Sequence, residues 1–282
     1  MKKMNYMNIF ITGATAGIGR DAAIYLASNG HRVFAAGRRA DRLASLRTEA
    51  GATDLRTIVL DVADEESVRR ATDEVDRLTG GHGVDALVNN AGYGMNGPLE
   101  LITDAELRAQ FDVNVFGLMS VTRAFLPKMR ERGSGYIVNI SSVSGRVTFP
   151  FMGPYVATKH AVEALSDALR MELHRFGVKV AIIEPGPIRT EFIDVASGKL
   201  DRFRSIKTPY DASLRRGDKM LRDFNKSAAP ARAVSHVIEK IISKKRPAAR
   251  YVVPRSNAIS VWLLNKLPTP WADALKRSAF AI

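Results

Sequence analysis

Asn-Ile-Phe-Ile-Thr-Gly-Ala-Thr-Ala-Gly-Ile-Gly occupies residues 8–19 of the 282-residue chain. Asn8–Ile11 predicts a buried strand, and a helical pattern over Arg20–Ser28 follows directly after the glycines. Glycines between a strand and a helix let a phosphate group approach the backbone, and the helix N-terminus offers it free N–H groups. The spacing Gly-x-x-x-Gly-x-Gly departs from the usual Gly-x-Gly-x-x-Gly fingerprint. The stretch therefore predicts a dinucleotide site, with a merely tight turn as the alternative.

The alternation of strand and helix continues along the chain. Further strands are predicted at Arg32–Ala36, Leu55–Leu60, Asp85–Val88, Tyr136–Ile140, Val178–Ile183 and Tyr251–Val253, and further helices at Arg42–Glu49, Glu65–Leu78, Leu101–Arg132, Pro154–Phe176 and Ala231–Ser243. The long helix is expected to kink or break near Pro127. Repeated βα units predict an α/β fold, a Rossmann-type doubly wound parallel sheet of about seven strands. We expect residues 1–282 to form a single domain with a C-terminal helical tail.

Ligands of such sheets bind beyond the carboxyl ends of the strands, so residues at those ends are candidates for the site. The second strand runs into Gly37-Arg38-Arg39, where NAD-binding folds usually carry an acid for the ribose 2′-OH. Two guanidinium groups favour a 2′-phosphate, so we predict NADP, with Arg38 as the better candidate; simple solvation of both arginines is the alternative. Asp61 and Asn89 also follow strands and are predicted to contact the cofactor, although such residues often only cap turns.

Polar residues in the middle of the chain form a second candidate cluster. Ser142 follows the predicted strand Tyr136–Ile140, and Tyr155 and Lys159 are four residues apart in the next helix. Residues i and i+4 share a helix face, where the cation favours the phenolate and suits the tyrosine to acid–base chemistry. Asn114 interrupts the apolar stripe of its helix and is either a satisfied structural residue or part of the site. Tyr-x-x-x-Lys alone is weak evidence, because such pairs occur by chance.

Taken together, the motifs resemble the short-chain dehydrogenase/reductase family from Asn8 to about Thr190. The matching positions are Thr12–Gly19, Asn89–Gly92, Asn114, Ser142, Tyr155, Lys159 and Pro185-Gly186. Residues 91–100 and 155–173 are most similar to the hydroxysteroid and retinol dehydrogenase branch. One departure is Ala16, where many NADP-preferring relatives have a basic residue, so the NADP prediction depends on Arg38 and Arg39.

The resemblance implies roles for four catalytic residues. Tyr155 would be the general acid/base and Ser142 would orient the substrate oxygen. Lys159 would lower the pKa of Tyr155 and hold the nicotinamide ribose, and Asn114 would support a proton-relay water. Cofactor contacts are expected at Gly13, Thr15, Gly17, Ile18, Gly19, Arg38, Arg39, Asp61, Val62, Asn89, Ala91, Tyr155, Lys159, Pro185, Ile188 and Thr190. No metal is expected, since none of the five histidines shows ligand spacing.

The reaction that follows is hydride transfer between the nicotinamide of NADP(H) and a carbonyl or alcohol carbon, with Tyr155 exchanging the proton on oxygen. Reduction of a ketone or aldehyde is the expected direction. Apolar sequence beside the substrate region favours a lipophilic substrate of steroid, retinoid or fatty type. Two alternatives stay open: a reductase of carrier-bound 3-oxoacyl substrates, and an NADP-binding regulator without turnover. The intact Ser142, Tyr155 and Lys159 argue against the regulator.

The net charge of +13 is concentrated in the last third of the chain. Basic and acidic residues balance at 23 each over residues 1–198, but stand at 19 to 6 over residues 199–282. An anionic partner such as a membrane surface would explain the excess, as would a solvated surface. Nucleic-acid binding is not expected, because no recognisable reading motif is present.

The segment 190–230 is predicted to be an irregular loop that closes over the substrate, and residues 255–282 form an apolar, basic tail with both tryptophans. The tail would lie in a membrane interface, or pack on the domain or on a partner subunit. Cysteine is absent, and neither a signal peptide nor a transmembrane span is recognised. We therefore expect a cytoplasmic protein, with membrane association through the tail left open. The family resemblance implies a homo-oligomer.

Overall fold

The computed structural model describes residues 6–192, 198, 203, 207–226, 228–280 and 282. Its strands are β1 Asn8–Ile11, β2 Arg32–Gly37, β3 Leu55–Val59, β4 Ala86–Asn89, β5 Gly135–Ile140, β6 Val178–Pro185, β7 Ile188–Arg189, β8 Ala229–Pro230 and β9 Arg250–Val253. Seven of them form one parallel sheet in the order β3-β2-β1-β4-β5-β6-β9, while β7 and β8 pair separately. The order reverses between β1 and β4, which creates the crevice where such sheets bind ligands.

Helices cover both faces of the sheet. They are α1 Gly17–Ser28, α2 Ala40–Ala50, α3 Glu65–Leu78, α4 Asp104–Phe111, α5 Leu118–Arg132, α6 Gly153–Glu172, α7 Asp211–Lys226, α8 Arg232–Ile242, α9 Asn257–Lys266 and α10 Thr269–Phe280. Side chains alternate along β1, so Ile9 and Ile11 join a core with α1 and α8, whereas Phe10 joins a second core with α3 and α5. The predicted doubly wound parallel sheet is therefore confirmed.

The predicted helix Leu101–Arg132 is divided differently from the expectation. Thr103 caps α4 through a reciprocal pair of hydrogen bonds with Glu106. Asp112–Gly117 forms a π turn, and α5 then continues through Pro127 to Arg132. The helix thus does not end at the proline, because buried Phe125 and Met129 hold that part of α5 against the sheet although one hydrogen bond is lost. The interruption of the α-helical pattern lies instead around Asn114.

The segment 190–230 is only partly a loop, since α7 lies within it. The start of α7 is fixed by Asp211, whose carboxylate accepts hydrogen bonds from the backbone and the hydroxyl of Thr208. Leu214 of α7 is buried. The helix was not predicted because its apolar residues are few and eight of its sixteen residues are charged. Other parts of the predicted loop lie outside the described residues.

The predicted helical tail is confirmed as α9 and α10. Ala272 and Phe280 of α10 are buried, and the Phe280 ring centroid lies 6.1 Å from that of Phe151. Arg216 of α7 donates a hydrogen bond from Nε to the carbonyl oxygen of Ala279 at 3.0 Å. Among the helices of the described ranges, none combines the length and the apolar character needed to cross a membrane.

Candidate active site

The catalytic candidates lie after the carboxyl end of β5, in the π turn before α5 and on the first turns of α6. Ser142 follows β5, and its Oγ accepts a hydrogen bond from the Ser144 backbone N–H at 3.1 Å, which caps a short 3₁₀ turn. The same hydroxyl donates to the carbonyl oxygen of Pro185 at 3.4 Å. A proline at the start of α6, Pro154, supplies the fixed φ that suits a first helical turn. Tyr155 therefore enters the site at a well-defined point.

Tyr155 and Lys159 share one face of α6, as their spacing predicts. The two side chains are 7% and 6% exposed, so both are almost withdrawn from water. Lys159 Nζ lies 5.7 Å from the centroid of the Tyr155 ring and donates a hydrogen bond to the carbonyl oxygen of Ile140 at 2.8 Å. That bond ties the ammonium to the end of β5, next to Ser142. The structure thus brings all three residues together.

Burial dominates the ionisation of this pair. It raises the pKa of Tyr155 to about 12, while hydrogen bonding with Ser142 acts in the opposite direction. It lowers the pKa of Lys159 to about 8, against the opposing charge of Glu163. The sequence led us to expect that Lys159 would lower the pKa of Tyr155; here desolvation of the phenol outweighs any such effect. At neutral pH the site therefore holds a protonated phenol beside an ammonium.

Asn114 is fully buried in the π turn, and its side chain forms hydrogen bonds within the protein. Its Oδ1 accepts from the Tyr93 backbone N–H at 3.1 Å, and its Nδ2 donates to the Tyr93 carbonyl oxygen at 3.0 Å and to Thr158 Oγ1 at 3.1 Å. A Cβ at Gly92 would stand 3.1 Å from Asn114 Oδ1 and 3.9 Å from Lys159 Nζ. Asn114 is therefore close to the site and also a satisfied structural residue, and its role in a proton relay stays a prediction.

A dinucleotide fits the turn that precedes α1. Ala16 is extended at the helix start, the helix has no side-chain cap, and its first turn contains no acid. The first N–H groups of α1 are therefore available to a phosphate. Gly13 and Gly17 have positive φ of 68° and 55°, and a Cβ at Gly13 would come within 2.8 Å of Ala91 Cα. Glycine is required at position 13 by this close approach.

Sequence reasoning missed the roles of Thr12 and Asn90, which hold the turn in place. Thr12 Oγ1 accepts hydrogen bonds from the backbone N–H groups of Asn90 and Ala91, both at 3.0 Å. The Asn90 amide donates to the carbonyl oxygens of Thr12 at 2.9 Å and Gly13 at 3.1 Å. Both residues belong to motifs that the sequence shows, Thr12–Gly19 and Asn89–Gly92. Their contacts join the ends of β1 and β4.

Asn89 differs from the expectation for a cofactor contact. Its side chain is buried, and Nδ2 donates at 2.9 Å both to Thr122 Oγ1 and to Asn139 Oδ1. Asn139 in turn donates to Ser166 Oγ at 2.8 Å. This polar ladder links β4, β5 and α6 inside the protein. The Asn89 amide nitrogen therefore has a structural role, whereas its Oδ1 accepts no hydrogen bond from the described residues, and the predicted cofactor contact stays a prediction.

Charged groups gather at the ends of β2 and β3. Arg39 donates from Nε and Nη2 to Thr15 Oγ1 at 3.3 and 3.0 Å, so its guanidinium is tied to the glycine turn. Arg38 is 66% exposed, with Nη1 3.9 Å from Asp61 Oδ2. A Cβ at Gly37 would approach Thr15 Cγ2 to 2.6 Å. Arg39, which we ranked below Arg38, is thus the arginine that the structure holds against the turn.

The remaining predicted positions line the crevice or support it. Ile18 and Gly19 begin α1, and Val62 and Ile188 are buried. A Cβ at Gly17 would lie 3.1 Å from Thr190. Two further neighbours were not predicted: the Phe192 ring lies 5.3 Å from the Tyr155 ring, and the Asn257 side chain is in close contact with Gly186. The predicted positions thus lie along the carboxyl edge of the sheet and the chain after β6.

Behind Lys159 lies a buried ion network. Glu163, one turn further along α6, accepts from Arg250 Nε at 3.0 Å, and Glu184 Oε1 lies 3.2 Å from the same nitrogen. Arg250 Nη2 also contacts Asp167 Oδ2 at 2.6 Å, and Arg146 Nη1 contacts Glu184 Oε1 at 3.3 Å. Burial raises the pKa of Glu163. The i+4 spacing from Lys159 could have revealed Glu163, but nothing in the sequence pattern pointed to Arg250.

Comparison with known proteins agrees with this geometry. A family model described as short chain dehydrogenase matches residues 7–199. The uncharacterized oxidoreductase YbbO of Escherichia coli strain K12 is 44% identical over 192 residues, 68% of this chain and 70% of the relative. The NADPH-dependent 3-dehydrocapnine reductase of Ornithobacterium rhinotracheale is 35% identical over 247 residues, and the 3-ketodihydrosphingosine reductase of Bacteroides thetaiotaomicron is 34% identical over 242; each alignment covers 86% of both chains.

Solved structures show the same architecture. A short chain dehydrogenase/reductase from Burkholderia phymatum in complex with NAD has a TM-score of 0.81 and 27% identity, covering 94% of this chain and 95% of that one. A serine dehydrogenase complexed with NADP⁺ has a TM-score of 0.76 and 29% identity, covering 88% and 94%. From the family match and from relatives aligned over most of its length, the chain belongs to the short-chain dehydrogenase/reductase family of oxidoreductases.

Proposed function

We propose that the protein is an NADP(H)-dependent oxidoreductase that reduces a carbonyl group on a lipophilic substrate. The same site would catalyse the reverse reaction, oxidation of the corresponding alcohol. The observation that carries the proposal is the buried Tyr155–Lys159 pair beside Ser142, at the same edge of the sheet as the uncapped start of α1. One end of this crevice suits a pyrophosphate and the other suits proton transfer. Such an arrangement is what hydride transfer to a carbonyl requires.

The side chains divide the proton chemistry among them. When bound, the nicotinamide cofactor supplies the hydride that the carbonyl carbon accepts. Tyr155 donates the phenolic proton to the carbonyl oxygen, and the Ser142 hydroxyl holds that oxygen in position. The raised pKa of Tyr155 keeps the phenol protonated before the reaction. Lys159 stabilises the phenolate that remains, and its bond to the Ile140 carbonyl fixes the ammonium in place.

Preference for NADP over NAD is supported by the end of β2. Position 37 is glycine, so no carboxylate is present there to bind a ribose 2′-OH. Arg39 is held on Thr15 of the glycine turn, and Arg38 extends beside Asp61. Both guanidinium groups suit a 2′-phosphate. One relative is named an NADPH-dependent reductase, which agrees with the proposal.

A lipophilic substrate is supported by the side chains around Tyr155. Phe192 lies against the Tyr155 ring. A separate apolar cluster includes residues just before α6 and in α7; its members are Leu101, Ile102, Phe151, Phe203, Tyr210 and Leu214. Two relatives are named for 3-dehydrocapnine and 3-ketodihydrosphingosine, which favours an oxo group on a long apolar chain over a small polar metabolite.

We also propose a cytoplasmic homo-oligomer that contacts membranes peripherally through residues 255–282.

The test follows NADPH and NADH absorbance with the purified protein and a panel of steroid, retinoid, long-chain keto and small-aldehyde carbonyls. We expect NADPH-dependent turnover of an apolar carbonyl that falls by about 10³-fold or more in Tyr155→Phe, because the proton donor is gone. Tight NADPH binding without turnover across the panel would favour the regulator. Turnover only of carrier-bound 3-oxoacyl substrates, with a Michaelis constant that rises steeply with salt, would favour that alternative.

A further inference from the structure

The tail carries an unusual amount of exposed apolar surface. Of the twelve large apolar side chains recorded as exposed in the described residues, six lie between residues 259 and 282. They are Ile259, Trp262, Leu263, Trp271, Leu275 and Ile282, and we call them the tail face. Trp262 is 60% exposed and Trp271 is 68% exposed. Isolated exposed apolar residues need no explanation, but a concentration of this kind marks an interaction surface.

The exposed residues repeat at helical spacing. Ile259, Trp262 and Leu263 are at i, i+3 and i+4 of α9, and Trp271 and Leu275 are at i and i+4 of α10. The opposite side of α10 is occupied by Phe280, which is buried with its ring 6.1 Å from that of Phe151. The prediction that the apolar tail packs on its own domain therefore holds for Phe280 but not for the tail face.

The charge of residues 255–282 is mainly positive. Residues 255–282 contain four cationic residues and a single acid, Asp273, which pairs with Lys276 at 3.2 Å. Arg255, Lys266 and Arg277 are exposed. Tryptophan, with a large apolar body and one polar N–H, is the residue that bilayer interfaces favour, and flanking cations attract anionic headgroups. The core of a subunit interface is also enriched in aromatic residues and arginine but is depleted in lysine, so Lys266 is the residue that favours the bilayer over a second copy.

We propose that the tail face docks on the surface of an anionic lipid bilayer, with both tryptophans in the headgroup region. Phe280, on the inner side of α10, contacts Phe151, which stands two residues before the catalytic helix begins at Gly153. Docking would therefore place the substrate side of the site near the membrane. This consequence rests on the proposed lipophilic substrate, whereas the docking itself can be measured without any substrate.

Trp262 and Trp271 are the only two tryptophans of the chain, so tryptophan emission reports on this surface alone. The full-length protein is titrated with vesicles of phosphatidylglycerol and phosphatidylcholine, and with vesicles of phosphatidylcholine only. We expect a blue shift and co-sedimentation with the anionic vesicles, both weakened by salt. Trp262→Ala/Leu263→Ala should reduce partitioning about tenfold, while Trp271 still serves as the probe. Met171→Ala, which alters a side chain of similar exposure (66%) elsewhere, should leave partitioning unchanged.

Three results would overturn the proposal. The emission could stay unshifted with anionic vesicles, the double variant could bind them as well as the unaltered protein, or the blue shift could follow protein concentration without lipid, which would identify a second copy as the partner. Reduction of a water-soluble aldehyde by the unaltered protein separates the two proposals. If the unaltered protein binds vesicles but has no reductase activity, the docking stands and the proposed function fails. If it is active but does not bind vesicles, the docking fails and the proposed function stands.

Discussion

At the scale of single residues, the most informative group is the buried ammonium of Lys159. It can hold its charge inside the protein because the carboxylate of Glu163, one helical turn away, favours the protonated form. Glu163 is itself kept in place by Arg250. The acid–base behaviour of the site therefore depends on a residue that touches neither the phenol nor the serine.

The pH profile of reduction tests this dependence. Burial lowers the pKa of Lys159 to about 8, so kcat/KM should fall as the pH rises through that value and the ammonium loses its proton. In Glu163→Gln the fall should move to lower pH, because the charge that favours the ammonium is absent. Asp167→Asn is the matched control, since it removes another partner of Arg250 without a recorded effect on Lys159. Identical profiles for Glu163→Gln and the unaltered enzyme would contradict the assignment of Glu163.

At the scale of elements, the π turn Asp112–Gly117 decides where Asn114 points. A π turn inserts a residue into a helix and often marks a functional position. Here it directs the Asn114 amide toward the backbone of Tyr93 and toward Thr158, whose hydroxyl donates to the carbonyl oxygen of Tyr155 at 2.7 Å. The turn thereby joins the loop after β4 to the catalytic helix.

Asn114→Ala should lower the free energy of unfolding by about 2 kcal/mol, because the partly buried Tyr93 N–H loses its hydrogen-bond acceptor. The Tyr93 carbonyl keeps a hydrogen bond from Gln110 at 2.6 Å. Thr158→Val, which removes one of the three amide contacts, should cost about 1 kcal/mol. Urea denaturation measures both losses. If Asn114→Ala kept full stability but lost activity, the proton-relay role would be supported over the structural one.

Comparison of the elements with the sequence shows what a pattern can and cannot predict. The central strands and the glycine turn were predictable because apolar runs ending in glycine leave few alternatives, and Tyr155 and Lys159 were predictable because helix geometry fixes an i, i+4 pair. The resemblance supplied the roles. By contrast, α7 has few apolar residues among eight charged ones and was not predicted, and the π turn depends on contacts rather than propensity.

Pairs that are distant in sequence could not be predicted from one chain alone. Thr12 meets Asn90 across 78 positions, and Glu163 meets Arg250 across 87. Both contacts arise because parallel strands bring remote residues to one edge of the sheet. The same limit applies to Arg39, because its place in the chain does not show that Thr15 holds its guanidinium.

At the scale of the whole molecule, ion pairs connect the last strand, β9, to the catalytic helix α6 and to β6. Arg250 of β9 reaches Glu163 on α6 and Glu184 on β6, and Arg146 after the Ser142 turn reaches Glu184 as well. The Glu163 and Glu184 side chains are 8% and 2% exposed. Buried carboxylates require such partners, since an uncompensated charge inside a protein is costly.

Arg250→Met should therefore lower the free energy of unfolding by about 3 kcal/mol, near the lower end of the range for a broken buried pair because the guanidinium is partly exposed. Arg69→Met, which breaks the exposed pair with Glu66, should leave the free energy of unfolding nearly unchanged, because water screens the pair. Chemical denaturation gives both values. Burial raises the pKa of Glu163, so acid should neutralise this carboxylate when its arginine is absent. The difference in free energy of unfolding between Arg250→Met and the unaltered protein should therefore become smaller at low pH. A gap that widens toward low pH would contradict this account.

The position of Arg250 also bears on how the chain can be divided. The candidate catalytic side chains all precede residue 199, where the family match ends, yet the cation that serves Glu163 and Glu184 comes from β9. A shortened gene product ending near that boundary would possess every reactive group, yet Glu163 would lose its arginine and Glu184 would keep Arg146 alone. Exchange of C-terminal segments between relatives should accordingly succeed only when an equivalent arginine arrives with the new segment. The catalytic residues and β9 therefore have to be exchanged as one unit.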